Sequence, residues 1–227
     1  MTPAYPVPLV SWRSPLRKPA VPVLLHPALA AALDAIDLPD EVRPTGSRSG
    51  ARTWADQAAL RAKAPTLAAK GLSWHQAGLA VDLSPSSHPA VQAIGFAHFA
   101  DRSIARPILS EPWHVEGATP WRGNPSRPWD EPGARVGVAC AIAELGPAWW
   151  GTVEAGAPYP WAKAAVLLAQ GYLARLGLLR WAGVDGLLGP VTLAAIEGIC
   201  PTFAPVGSTI EEIVLCALAE ACAERGV

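Results

Sequence analysis

Two short stretches hold most of the side chains that could do chemistry. Ser73-Trp74-His75-Gln76-Ala77-Gly78-Leu79-Ala80-Val81-Asp82 sets an imidazole and a carboxylate seven residues apart. Ser110-Glu111-Pro112-Trp113-His114 adds a second imidazole, with a carboxylate three residues before it. A separation of seven exceeds adjacent turns of one helix, so His75 and Asp82 call for a loop feeding a strand. On a regular strand Glu111 and His114 would point to opposite faces, and Pro112 offers the irregularity that could turn both inward. Two neutral imidazoles and one carboxylate suit a catalytic zinc site, which takes three protein ligands and leaves the fourth position to water. His75, Asp82 and His114 are therefore the expected ligands of Zn2+. Glu111 is left over as the base that takes a proton from water, whose pKa zinc lowers to about 7, during attack on a carbonyl. Either segment alone is a weak signal, since its residues could be surface groups or loop hydrogen-bonders; together they are much stronger. Ser73 is placed to support the His75 loop, and Trp74 and Trp113 flank ligands, as walls of a cleft or as packing.

The elements that must position these groups follow from periodicity and punctuation. Pro27 to Ile36 reads as a helix with proline near its start, Glu41 to Thr45 as a strand, and Thr53 to Lys63 as a second helix. Leu79 to Leu83 alternates as a strand, Ala90 to Asp101 reads as a third helix, and Arg106 to Leu109 begins another strand. His26 and His88 precede prolines and are expected in loops or caps, and His98 in the core or behind the site. Gly117 to Gly133, with four prolines and three glycines, cannot form an element of its own and marks a boundary. The expected layout is a catalytic domain over 1–117, a Pro/Gly-rich linker over 118–133 and a helical domain over 134–227. Mixed elements in the first part predict an α+β domain with a small antiparallel sheet and helices. The second part reads as all-α, with helices over Ala134 to Leu145, Trp161 to Leu176, Val191 to Ile199 and Ile210 to Arg225. Thr209 with Glu212 is expected to form a capping box at the last of these.

Composition sets outer limits. With 51% apolar and 16% charged residues in 227, the chain is ordinary globular material of one or two domains. A net charge of −1 gives no general attraction for nucleic acid or anionic membrane, so neither is an expected partner. Apolar stretches are broken well before the ~20 residues a membrane span requires. Prolines interrupt the N-terminal residues where a signal core would lie, which predicts a protein made in the cytoplasm. The four cysteines form no C-x-x-C pair and are expected as buried free thiols. The chain is expected to be a monomer.

S-x-H-x-x-G-x-A-x-D followed by E-P-W-H resembles the signature of the zinc metallopeptidases. These include D-alanyl-D-alanine carboxypeptidases and dipeptidases and the L-alanyl-D-glutamate endopeptidases of phage endolysins. The resemblance covers roughly Glu41 to Glu116. It implies that His75, Asp82 and His114 bind zinc and that Glu111 is the base. Ser49-Gly50-Ala51-Arg52-Thr53, with Gln57 one turn on, is similar to the family's S-G-Y-R-S segment, with Ala51 in place of the tyrosine. By that resemblance Arg52 assists catalysis by contacting a substrate oxygen near the metal; Gln57, Ser73 and Trp113 are, with it, the candidate substrate-binding residues. Farther on, Gln170-Gly171-Tyr172-Leu173-Ala174-Arg175-Leu176-Gly177 and Val184-Asp185-Gly186-Leu187-Leu188-Gly189-Pro190-Val191-Thr192 resemble the three-helix peptidoglycan-binding domain. Together these imply a modular enzyme whose partner is bacterial peptidoglycan and which acts on the wall after phage-induced membrane breach. Its expected reaction is cleavage of the L-Ala–D-Glu bond of the stem peptide. The alternatives are a D-Ala-D-Ala carboxypeptidase or dipeptidase, and a catalytically silent wall-binding or virion structural protein.

Overall fold

A computed structural model describes residues 5–17, 20–63, 73–94, 104–122, 131–154, 161–203 and 210–227. The chain is mixed α+β, with small antiparallel sheets and helices, and divides into two compact units. One is built on Pro8–Thr119; the other comprises the helices beyond Trp129, joined by residues 5–7 and 120–122. Thus Val7 N donates to Glu144 O within the helical unit, although the sequence reading assigns that end of the chain to the first lobe. No helix among the described residues is long and apolar enough to cross a membrane.

The first unit opens with β1 (Val10–Trp12) and β2 (Val23–Leu25), an antiparallel ribbon in a proline-dense stretch too short to show alternation in sequence. α1 (Pro27–Asp34) follows, with Leu29 and Leu33 buried, and packs on β1 and on two strands of the sheet described next. That sheet runs β3-β4-β6-β5, all antiparallel: β3 (Arg43–Pro44), β4 (Ala80–Ser84), β5 (Ile104–Ala105) and β6 (His114–Gly117). α2 (Trp54–Arg61) begins at a capping box in which Thr53 Oγ accepts from Asp56 N and the Asp56 carboxylate accepts from Thr53 N. α3 (Pro89–Ala93) ends at Ile94; the rest of the helix expected to Asp101 lies outside the described residues, as does His98. The strand expected from Arg106 to Leu109 is not there. It sits earlier, at Ile104–Ala105, and Arg106 instead leaves the sheet to bond Pro112 O and Gln92 O through its guanidinium, while Pro107 has no N–H to give a ladder.

His26 and His88 cap the two proline-started helices: each Nδ1 accepts the peptide N–H two residues on, at 3.2 and 3.1 Å. Burial pulls the His26 imidazole down to about 4 from 6.5. A depressed folded-state pKa gives stability that is fully present above 6.5 and is lost as the pH falls towards 4, at most about 3 kcal/mol in total. Asparagine caps without titrating. Urea unfolding at pH 7 and pH 4.5 should therefore show wild type losing about 1–3 kcal/mol more than His26→Asn over that interval; equal losses would acquit this imidazole.

The helical unit contains α4 (Glu131–Glu144), α5 (Pro147–Glu154), α6 (Trp161–Arg175), α7 (Pro190–Ile199) and α8 (Glu212–Glu224). α6 is buried from Ala164 to Ala174 and packs against α4 and α8. Gly171 inside it has a packing reason: a Cβ there would stand 2.6 Å from the Trp121 ring and 3.0 Å from Cys140 Sγ. The Asp185–Thr192 turn is organised by Gln170, whose Oε1 accepts from Asp185 N and Gly186 N while Nε2 reaches Asp185 Oδ1, Leu187 O and Thr192 Oγ1. Gly186 takes φ +74, which suits glycine. α8 does not start at a Thr209 capping box: its N-cap is Glu211, so Glu212 is the first helical residue rather than the third, and Thr209 lies outside the described residues. All four cysteines are free, Cys140 and Cys222 buried and Cys200 and Cys216 partly so.

Candidate metal centre

Each half of the site is built by a local irregularity next to a strand. His75 lies in a 3-10 turn, Trp74–Ala77, capped by Ser73: its Oγ accepts from His75 N, and the Gln76 side chain accepts from Ser73 N. The turn stops at Gly78, which takes φ +68 and where a Cβ would meet Leu9 and the His26 peptide nitrogen at 2.6 and 2.9 Å. The chain then enters β4 and delivers Asp82. On the neighbouring strand, a turn through Pro112 and Trp113 closes with His114 N donating to Glu111 O at 2.9 Å, and β6 begins at His114. This turn puts Glu111 and His114 on the same side. Asp82 and His114 are direct cross-strand partners, so their side chains share a face of the sheet.

The three expected ligands converge. His114 Nδ1 is 3.1 Å from Asp82 Oδ1, His75 Nε2 is 3.3 Å from His114 Nδ1, and His75 Nε2 is 3.4 Å from Asp82 Oδ1. Their outer atoms are already engaged: His75 Nδ1 meets Gly50 O at 3.0 Å, and His114 Nε2 meets Glu116 Oε1 at 2.8 Å. Each of those outer partners accepts, so each ring in its neutral form can donate outward and turn a lone pair inward. Two imidazole nitrogens and a carboxylate oxygen thus face one another in the interior. Tetrahedral ligation at about 2.0–2.1 Å separates ligand atoms by about 3.3 Å, the spacing found. His75, Asp82 and His114 form a buried group that could bind a metal ion.

The electrostatics point the same way. Burial alone would raise the Asp82 carboxyl, but the charge of His75, hydrogen bonds from both imidazoles and the Arg52 guanidinium hold it far below the carboxylate range. Burial lowers His75, against the opposing pull of Asp82. Burial lowers His114 too, yet hydrogen bonds to Asp82 and Glu116 and their charges outweigh it and raise the imidazole to about 9. The group attracts positive charge.

Arg52 places Nη2 at 2.5 Å from Asp82 Oδ2, donates Nε–H to Arg48 O and has its pKa pulled down chiefly by burial. It lies behind a ligand, paired to it. Glu111 Oε2 is 3.9 Å from His114 Nδ1 and its side chain keeps 32% of its surface exposed, against 3–13% for the ligands. Trp113 is 40% exposed, and its carbonyl accepts from Leu83 N. Gln57 is buried on α2 with its Oε1 unpaired among the described residues, and no bond described joins it to the ligands.

Three contributors escaped sequence reasoning. The main chain of residues 49–52 is one: Ser49 O accepts from Asp82 N, Gly50 O from His75 Nδ1, and Arg52 N donates to His75 O. No side-chain pattern reports a carbonyl. Arg106 is another, tying the Glu111 turn through Pro112 O. Glu116 is the third, and here a signal existed: H-x-E on a strand puts both side chains on one face. Compared with protein-family models, curated proteins and solved structures, the chain matches none.

Proposed function

We propose that the chain is a zinc peptidase that hydrolyses the stem peptide of bacterial peptidoglycan, cutting between L-Ala and D-Glu. The observation that carries the metal reading is the convergence of three acceptor atoms at zinc-like spacing with their outer partners in place. Bound zinc supplies a Lewis acid that polarises a peptide carbonyl and makes water acidic near neutral pH. The chain's own groups do the rest. His75 and His114, held by Gly50 O and Glu116, keep their lone pairs directed inward, and Asp82 contributes a charge steadied by Arg52. Glu111 takes one proton of the attacking water on a carboxylate oxygen and delivers it to the departing amine nitrogen as the C–N bond breaks, and the second water proton stays with the new carboxyl group.

Arg52 favours an internal bond over a C-terminal one. A carboxypeptidase must hold the free carboxylate of its substrate, and this cation is already engaged by Asp82 and Arg48 O. The helical unit would keep the enzyme on an insoluble polymer and raise the effective substrate concentration.

Purified wall treated with the zinc-loaded protein should release stem peptides with a new D-Glu N-terminus, seen by mass spectrometry, and a chelator should stop the release. Loss of a terminal D-Ala alone would move the assignment to a carboxypeptidase. No product with zinc bound would leave a silent wall-binding protein.

A further inference from the structure

The carboxylate of Glu116 is 3% exposed, and its Oε1 lies 2.8 Å from His114 Nε2. Its place is made by the sheet. Glu116 sits opposite Ala80 on β4 and Ala105 on β5, so on its face both neighbouring strands present only a methyl group. Two residues along β6 is the same face, which sets the carboxylate beside the His114 ring. Burying a carboxylate is costly unless a cationic or hydrogen-bonding partner compensates. Here the partner described is a residue of the candidate metal group.

We propose that Glu116 is a positioning residue: it holds His114 as the Nε2–H tautomer and so commits Nδ1 to the metal. A proton on Nδ1 would remove one of the three lone pairs; Nδ1 faces Asp82 Oδ1 at 3.1 Å, and the closer carboxylate at Nε2, at 2.8 Å, draws the hydrogen outward. The two imidazoles are backed unequally. His75 leans on the neutral carbonyl of Gly50, whereas His114 leans on a charge, which makes its ring the more basic ligand. The assignment rests on the zinc reading above, and its test separates the two.

Zinc affinity measured by competition with a chromophoric chelator should weaken about 10-fold in Glu116→Gln, which keeps an acceptor without the charge, and about 100-fold in Glu116→Leu. Thermal unfolding in excess chelator checks that each variant still folds without metal. Imidazole 15N shifts of the zinc-loaded wild type should show His114 bound through Nδ1 with hydrogen on Nε2, a readout that survives even if both variants misfold. Unchanged affinity in folded Glu116→Gln and Glu116→Leu, or ligation of His114 through Nε2, overturns the role of Glu116. Wild-type protein that takes up no zinc overturns the metal reading itself.

Discussion

Glu111→Gln is expected to slow release of wall peptides by about 10²–10⁴-fold while zinc stays bound. The substitution keeps size and polarity and removes only the capacity to accept a proton. On the proposed reading, the turn through Pro112 and Trp113 poises Glu111 for that role. It approaches a ligand atom to 3.9 Å without joining the buried group, and it remains the most solvent-open carboxylate there. Its loss should therefore separate chemistry from metal content. Product formation followed by mass spectrometry, alongside zinc per chain by elemental analysis, reads both. A variant that retains zinc and cleaves at the wild-type rate would show that the base is another group.

Asp82→Ala should cost more than a ligand. Arg52 keeps only 13% of its side-chain surface exposed, and Asp82 Oδ2 is its charged partner at 2.5 Å. Removing one member of a buried pair leaves the other charge uncompensated, typically a loss of about 3–5 kcal/mol. Asp82→Asn, which can still accept a hydrogen bond, should lose less. Urea unfolding in the presence of a chelator isolates this effect from the stabilisation that bound metal adds to wild type alone. Zinc content should fall in both variants, since a neutral amide is a poor replacement for a carboxylate ligand. Wild-type stability for Asp82→Ala would mean that Arg52 finds water or another acceptor at no cost.

The legibility of this chain divides along physical lines. Side chains that do chemistry are visible as residue types, and His75, Asp82 and His114 could be grouped because their spacing demanded a turn before one strand and an irregularity before another. The long amphipathic segments were equally visible, and α6 and α7 lie where periodicity puts them. Short strands were not. β1 and β2 are three residues each among prolines, and β5 is two, too few for alternation to register. The Arg106 segment reads as a strand because its apolar neighbours allow one, and nothing local reveals that its guanidinium is needed at Pro112 O. The D-G-x-x-G-x-x-T turn of the helical unit shows the opposite case. Its polar residues look suited to a ligand, yet Asp185 and Thr192 are held by the buried Gln170, 15 and 22 positions earlier in the chain.

Gly50 contributes no side chain to the site, yet its carbonyl holds His75, and a Cβ there would fall 2.7 Å from Leu24 O and 2.8 Å from Val23 Cβ. Because Ala51 N also donates to Leu24 O, the ribbon of β1 and β2 acts as the anvil against which this segment is pressed. In a mutational map of the protein, one of the least forgiving positions near the ligands should thus be a residue with no functional group at all. Chemical intuition would pass over it, and selection for activity would not.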